Sequence, residues 1–93
     1  MSRDVSRQVA RKRLNDLLAL LQTSSASNVE ALRVEAESLG RAIDAFHLEA
    51  IRLRMFRMDR MLQNLPGLPP EAFTILADIR TALEAAGVHT RSH

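Results

Sequence analysis

From Val29 to Leu53, the apolar residues Val29, Leu32, Ala36, Leu39, Ile43, Phe46, Ala50 and Leu53 follow one another at alternating steps of three and four. That spacing keeps one side of an α-helix apolar, and it does not fit the period-two alternation of a half-buried strand. The stripe then stops. Arg57, Arg60 and Asn64, the next positions in its register, are all polar. A second stripe, Leu48, Ile51, Met55, Met58, Leu62 and Leu65, begins before the first ends and lies on nearly the opposite side. Read as one helix from Val29 to about Asn64, this segment is apolar on one side in its first half and on the other in its second.

The flanking segments are shorter. From Asp4 to Gln22, Ala10, Leu14, Leu17 and Leu21 mark an amphipathic helix whose apolar face is widened by Val5, Val9, Leu18 and Leu20. The polar run from Thr23 to Asn28 ends it, and Ser27 with Glu30 has the spacing of a capping box for the next helix. Pro66, Gly67, Pro69 and Pro70 close the long segment, and Pro70 with Glu71 suits the first turn of a third helix. That helix should end at Gly87, with Val88 reaching back to Leu83 in a Schellman-type cap. Phe46, Phe56 and Phe73 are the only aromatics, and three glycines and three prolines complete a helix-forming composition. The expectation is all-α: a single helical domain over residues 1–93, with a short, a long central and a short helix and flexible ends at 1–3 and 89–93.

Short connections make consecutive helices antiparallel. Each outer helix should then cover half of the central one, giving an elongated antiparallel arrangement about 50 Å long at 1.5 Å per residue. Such a chain is only two helices thick, so wide faces such as Leu17, Leu18, Leu20 and Leu21 lack cover. Burying one Leu or Phe is worth roughly 1.5–3 kcal/mol. The expected remedy is a two-fold homodimer whose interface includes Leu18, Leu20, Phe73 and Ile75. The rival is a compact monomer in which Gly40 breaks the central helix.

Function is less legible. The chain has no cysteine, which removes disulfides, thiolate catalysis and cysteine-zinc sites and suits a reducing cytoplasm. A net charge of +2 is too small to name a nucleic-acid partner by itself. Lys12 is the one lysine among thirteen basic residues, a composition expected of a GC-rich bacterial genome. Basic residues precede Leu17 to Leu21 as in a targeting peptide, but Asn15 and Asp16 interrupt the apolar core such a peptide needs. No stretch approaches the roughly 20 apolar residues of a membrane span. Localisation is expected to be cytoplasmic, with no membrane partner.

The candidate site residues fall into two groups. Arg54 to Leu62 repeats Arg-Met three times; Met55 and Met58 lie in the second stripe and read as core, whereas Phe56 and Met61 fall outside both stripes. With Leu18, Leu20, Phe73 and Ile75, they are the expected partner-binding residues. Arg57 and Arg60 prolong the face on which the first helix should lie, so Arg3, Arg7, Arg57 and Arg60 are read as one positive patch for anions or nucleic acid. Asp44 and His47 have half of a di-metal helical pattern, but the facing carboxylates are missing. His89 and His93 sit in the tail. No nucleophile with a base and an orienting third residue is recognisable. Neither a cofactor nor a metal is expected. These residues describe a non-enzymatic helical protein–protein interaction module, a small regulator, adaptor or inhibitor acting as a homodimer. A nucleic-acid-binding regulator using the arginines is the alternative.

Overall fold

The computed structural model describes residues 2–25 and 28–89. Four helices follow one another: α1 (Arg3–Gln22), α2 (Val29–Ala45), α3 (Leu48–Asn64) and α4 (Glu71–Ala85). The fold is all-helical as expected, but the long central helix is two helices, and the three-helix reading is corrected accordingly.

The correction sits at Phe46 and His47. Phe46 adopts the left-handed conformation (φ 49°, ψ 44°). Its N–H donates to the Ile43 carbonyl, and the His47 N–H donates to the Ala42 carbonyl, each at 3.0 Å. This pair of bonds is a Schellman motif, which satisfies the last carbonyls of a helix while reversing the chain. The same motif ends α4, where Val88 N–H reaches the Leu83 carbonyl at 2.9 Å and Gly87 N–H the Glu84 carbonyl at 3.0 Å. There the left-handed residue is Gly87 (φ 92°), and Val88 is buried over Leu83 as the sequence suggested. At the first site it is a phenylalanine, which carries a left-handed cost of roughly 1–2 kcal/mol that glycine avoids. Immediately after the reversal, His47 caps α3: its Nδ1 accepts the Ala50 N–H at 3.2 Å. The helix break therefore contains neither Gly nor Pro, the residues that signal breaks in a sequence.

Folding back explains the stripe that changed sides. In a hairpin, two opposite stripes face each other, and here Leu32, Ala36, Leu39 and Ile43 of α2 share one core with Ile51, Met55, Met58 and Leu62 of α3. Leu48, at the start of α3, is left 46% exposed, and Leu53, the last residue of the first stripe, is left 51% exposed because α3 turns the other stripe inward. The layer expected from a second chain comes from within the molecule. Helix α1 lies between α4 and α2, α2 lies between α1 and α3, and α3 meets α4 over a narrower strip. Ala10, Leu14, Leu17 and Leu21 of α1 and Ala72, Leu76, Ile79 and Leu83 of α4 complete the core. The molecule measures 37 × 26 × 20 Å, well short of the expected elongated shape.

Gly40 is not the break. It is buried inside α2, and a Cβ there would stand 3.0 Å from the guanidinium carbon of Arg11. Its missing side chain gives Arg11 a path along α2, where Arg11 Nε reaches Asp44 at 3.0 Å. Ser2 caps α1 by accepting the Val5 N–H at 3.2 Å, and the helix begins at Arg3. The expected capping residue Ser27, and the ends at 1 and 90–93, lie outside the described residues.

Two substitutions test this account. His47→Ala removes the cap of α3 and should lower stability by about 1 kcal/mol, while His47→Ser, which restores an oxygen acceptor, should recover most of it; urea midpoints at unchanged slope measure both. Gly40→Ala gains up to about 1 kcal/mol of helix propensity and displaces only the tip of Arg11, whose exposed ion pair is worth about 0–1 kcal/mol. Its stability should be unchanged or slightly raised. A break at Gly40 would instead make the substitution clearly destabilising.

Candidate functional site

The outward side of α3 carries the exposed apolar residues Leu53 and Phe56, three apart and therefore one turn apart on one face. Arg60, a turn further on, holds its guanidinium carbon 5.7 Å from the Phe56 ring centroid, within cation–π range. Beside this stripe is an open cleft of about 250 Å³. Its lining is Asn28 and Ala31 from the start of α2 with Arg60, Met61, Asn64 and Leu65 from the end of α3. The antiparallel hairpin creates it, since only the reversal at Phe46–His47 brings residue 31 beside residue 61. Asn64 Nδ2 donates to the Arg60 carbonyl at 2.9 Å, closing the last turn of α3 at the cleft's edge. Met61 and Leu65 are half-buried against the core, so the apolar floor is continuous with the interior.

Charge around the cleft is unevenly matched. Glu35 of α2 is buried; one oxygen accepts a hydrogen bond from Arg54 at 3.0 Å and the other is ion-paired with Arg57 at 3.1 Å, so two guanidinium groups share one carboxylate. Arg52 reaches Glu49 at 3.4 Å. Asp59 is engaged by Arg80 of α4, an ion pair that bridges the thin α3–α4 contact. Arg60 has no carboxylate partner among the described residues. Along the far flank of α2, Arg33 bridges Glu30 and Glu37, and its hydrogen bonds hold the Glu30 carboxyl below the usual carboxylate range against a smaller opposing effect of desolvation. Glu30 therefore contributes its share of stability above the pKa it has in the unfolded chain, and loses it as pH falls through the lowered folded value. Hydrogen bonds to Asp16 and Asp78 likewise raise the Arg13 pKa, in a network joining α1 to α4.

The structure divides the expected partner-binding residues. Ile75 is in the core at 5% exposure. Leu18, Leu20 and Met61 are half-buried and packed against that core. Leu18 lies two turns beyond Arg11, on the flank of α1 facing α2, and Leu20 two turns beyond Arg13, on the flank facing α4. Phe56 and Phe73 remain exposed, at 41% and 48%. The four arginines are dispersed too. Arg3 lies against Gly87 at the end of α4, and Arg7 pairs with Asp4 at 2.6 Å. Arg57 and Arg60 sit roughly 14–18 Å along α3 from its start, the end of the bundle that Arg3 and Arg7 occupy. A single patch required the unbroken central helix. The reversal turns α3 back and separates the two pairs.

Asp44 and His47 do not share a site, because Asp44 is taken by Arg11 and His47 turns to cap α3. No group of three or more potential metal ligands occurs among the described residues. The cleft residues Asn28, Ala31, Asn64 and Leu65, and the buried Glu35, escape sequence reasoning because each is unremarkable in its own helix. Only the hairpin register pairs them. Comparison of the chain with protein-family models, curated proteins and solved structures finds no match.

Glu35 is the polar centre of the α2–α3 contact, and its removal measures what that centre contributes. Glu35→Ala should cost about 1–3 kcal/mol, below the value for a fully buried pair because both guanidinium groups reach water. Glu35→Gln keeps one oxygen acceptor and should cost less. Equal losses for the two variants in urea unfolding would show that charge rather than side-chain volume sets the contribution.

Proposed function

We propose that this chain is a non-enzymatic helical protein–protein interaction module that binds through the outer face of α3 and the adjoining cleft. The observation that carries this reading is the exposed Leu53–Phe56–Arg60 stripe beside an apolar cleft open to solvent. Exposed apolar side chains are common singly, but apolar residues grouped with an aromatic and an arginine have the composition of binding hot spots. The fold needs neither Leu53 nor Phe56 for its core, so their chemistry is available to a partner.

The homodimer reading has lost its original support. It rested on a missing helical layer, and α1 and α4 supply that layer within the chain. A second copy can still use the exposed Phe56 or Phe73, but nothing in the packing requires one. Nucleic-acid binding is also less well supported, because Arg3 and Arg7 lie apart from Arg57 and Arg60, and Arg57 is already shared with Glu35.

The test combines assembly state with partner retention. Light scattering on a size-exclusion column should give a monomer at micromolar concentration. Affinity capture from the native host should recover a protein bound by the wild-type chain and lost from Phe56→Glu, whose helical circular dichroism is unchanged. A dimer dissociated by Phe56→Glu would make the α3 face a self-association surface. Salt-dependent binding to duplex DNA, weakened by Arg57→Ala with Arg60→Ala, would replace the protein-binding reading.

A further inference from the structure

We infer that the α2–α3 cleft receives an acidic, apolar-anchored peptide segment of a partner protein, with an apolar side chain on Ala31, Met61 and Leu65 and a carboxylate on Arg60. This inference rests on the interaction reading above and names the chemistry of the partner. At about 250 Å³ the cleft is smaller and more open than a typical cofactor pocket of about 300–1,000 Å³, and it suits one or two side chains of a docked segment.

Charge complementarity selects the occupant. Arg60 has no carboxylate partner among the described residues, and the Phe56 ring holds its guanidinium at the cleft's edge. A guanidinium placed in advance loses less side-chain freedom on meeting a carboxylate. Arg57, one turn earlier and more than half exposed, shares Glu35 with Arg54, so a second incoming carboxylate also finds a cation that is only partly neutralised. An acidic segment therefore binds without breaking an existing ion pair. A basic segment would meet two guanidinium groups instead.

A second copy of this chain is a poorer occupant. Nine of its eleven Asp and Glu residues already form ion pairs, so most of its carboxylates could reach Arg60 only by breaking one. An acidic partner segment offers carboxylates without that competition. Around the apolar floor, Asn28 offers an amide that makes no capping bond to α2, and Asn64, whose Nδ2 donates to the Arg60 carbonyl, offers its Oδ1 as an acceptor. Both suit the backbone of an incoming segment.

The probe is a short acetylated and amidated peptide of Glu, Leu and Phe, with one counterpart carrying Gln in place of Glu and another carrying Lys. Binding is followed by amide shifts of isotope-labelled full-length protein. The acidic peptide should move the resonances of Ala31, Met61 and Leu65, and Arg60→Glu should weaken it about tenfold. Lys12→Glu, the same charge change on the outer face of α1, should alter affinity by no more than about twofold at physiological salt. The Gln and Lys peptides should bind about tenfold more weakly or not at all. Equal effects of Arg60→Glu and Lys12→Glu would overturn the inference, since net charge would then explain the binding. If the Gln peptide bound as tightly through the same three residues, the acidic partner would be wrong while the interaction reading stood. If no peptide moved these resonances, the cleft assignment would fall, and Phe56-dependent capture would still decide the interaction reading separately.

Discussion

Everything in this structure depends on the reversal at Phe46 and His47. A straight helix from Val29 to Asn64 would hold two apolar stripes on opposite sides, and no single core can bury both. Turning the chain at this point brings the stripes face to face. The turn is held by two hydrogen bonds that finish α2 and one imidazole acceptor that starts α3. Phe46 tolerates an unfavourable backbone conformation because its side chain packs against the core that the reversal creates. Local strain is offset by apolar burial on both sides of the turn.

The reversal also distributes the charges. Glu35 sits between α2 and α3, and its buried carboxylate is paired with two arginines that approach from α3. Other pairs link α1 to α2, α1 to α4 and α3 to α4, each near the edge of the core. The two pairs made by α1 are exposed and add little stability individually, whereas the α3–α4 pair of Arg80 and Asp59 is part-buried. What remains after this matching is a surplus of positive charge on the outer face of α3. The surplus lies next to the stripe and cleft where apolar atoms are also in excess. Interaction chemistry and folding chemistry are thus separated by face: the inward residues of α3 are committed, and the outward ones are not.

Much of the fold was legible in the residues. The spacing of Ala10, Leu14, Leu17 and Leu21 placed α1 and its buried side, and Gly87 with Val88 placed the end of α4 and its cap. Met55 and Met58 were correctly read as core from their stripe. The candidate site was legible only in part. Phe56 stood out as an aromatic off both stripes, whereas Met61 proved half-buried and Ile75 fully committed to the core. Residues grouped by a continuous central helix, the four arginines above all, came apart once that helix was two.

The sequence by itself determined which residues are helical and which side of each helix is greasy, because periodicity is a local property that survives any arrangement of the pieces. It also contained the mark of the break, a stripe that changes sides, without the glycine or proline that usually names one. Tertiary structure decided that the mark was a turn. The cost of a left-handed phenylalanine is local, and the core burial that outweighs it joins residues from all four helices. The same holds for the cleft: Ala31 and Met61 are thirty residues apart and become neighbours only when α3 folds back on α2.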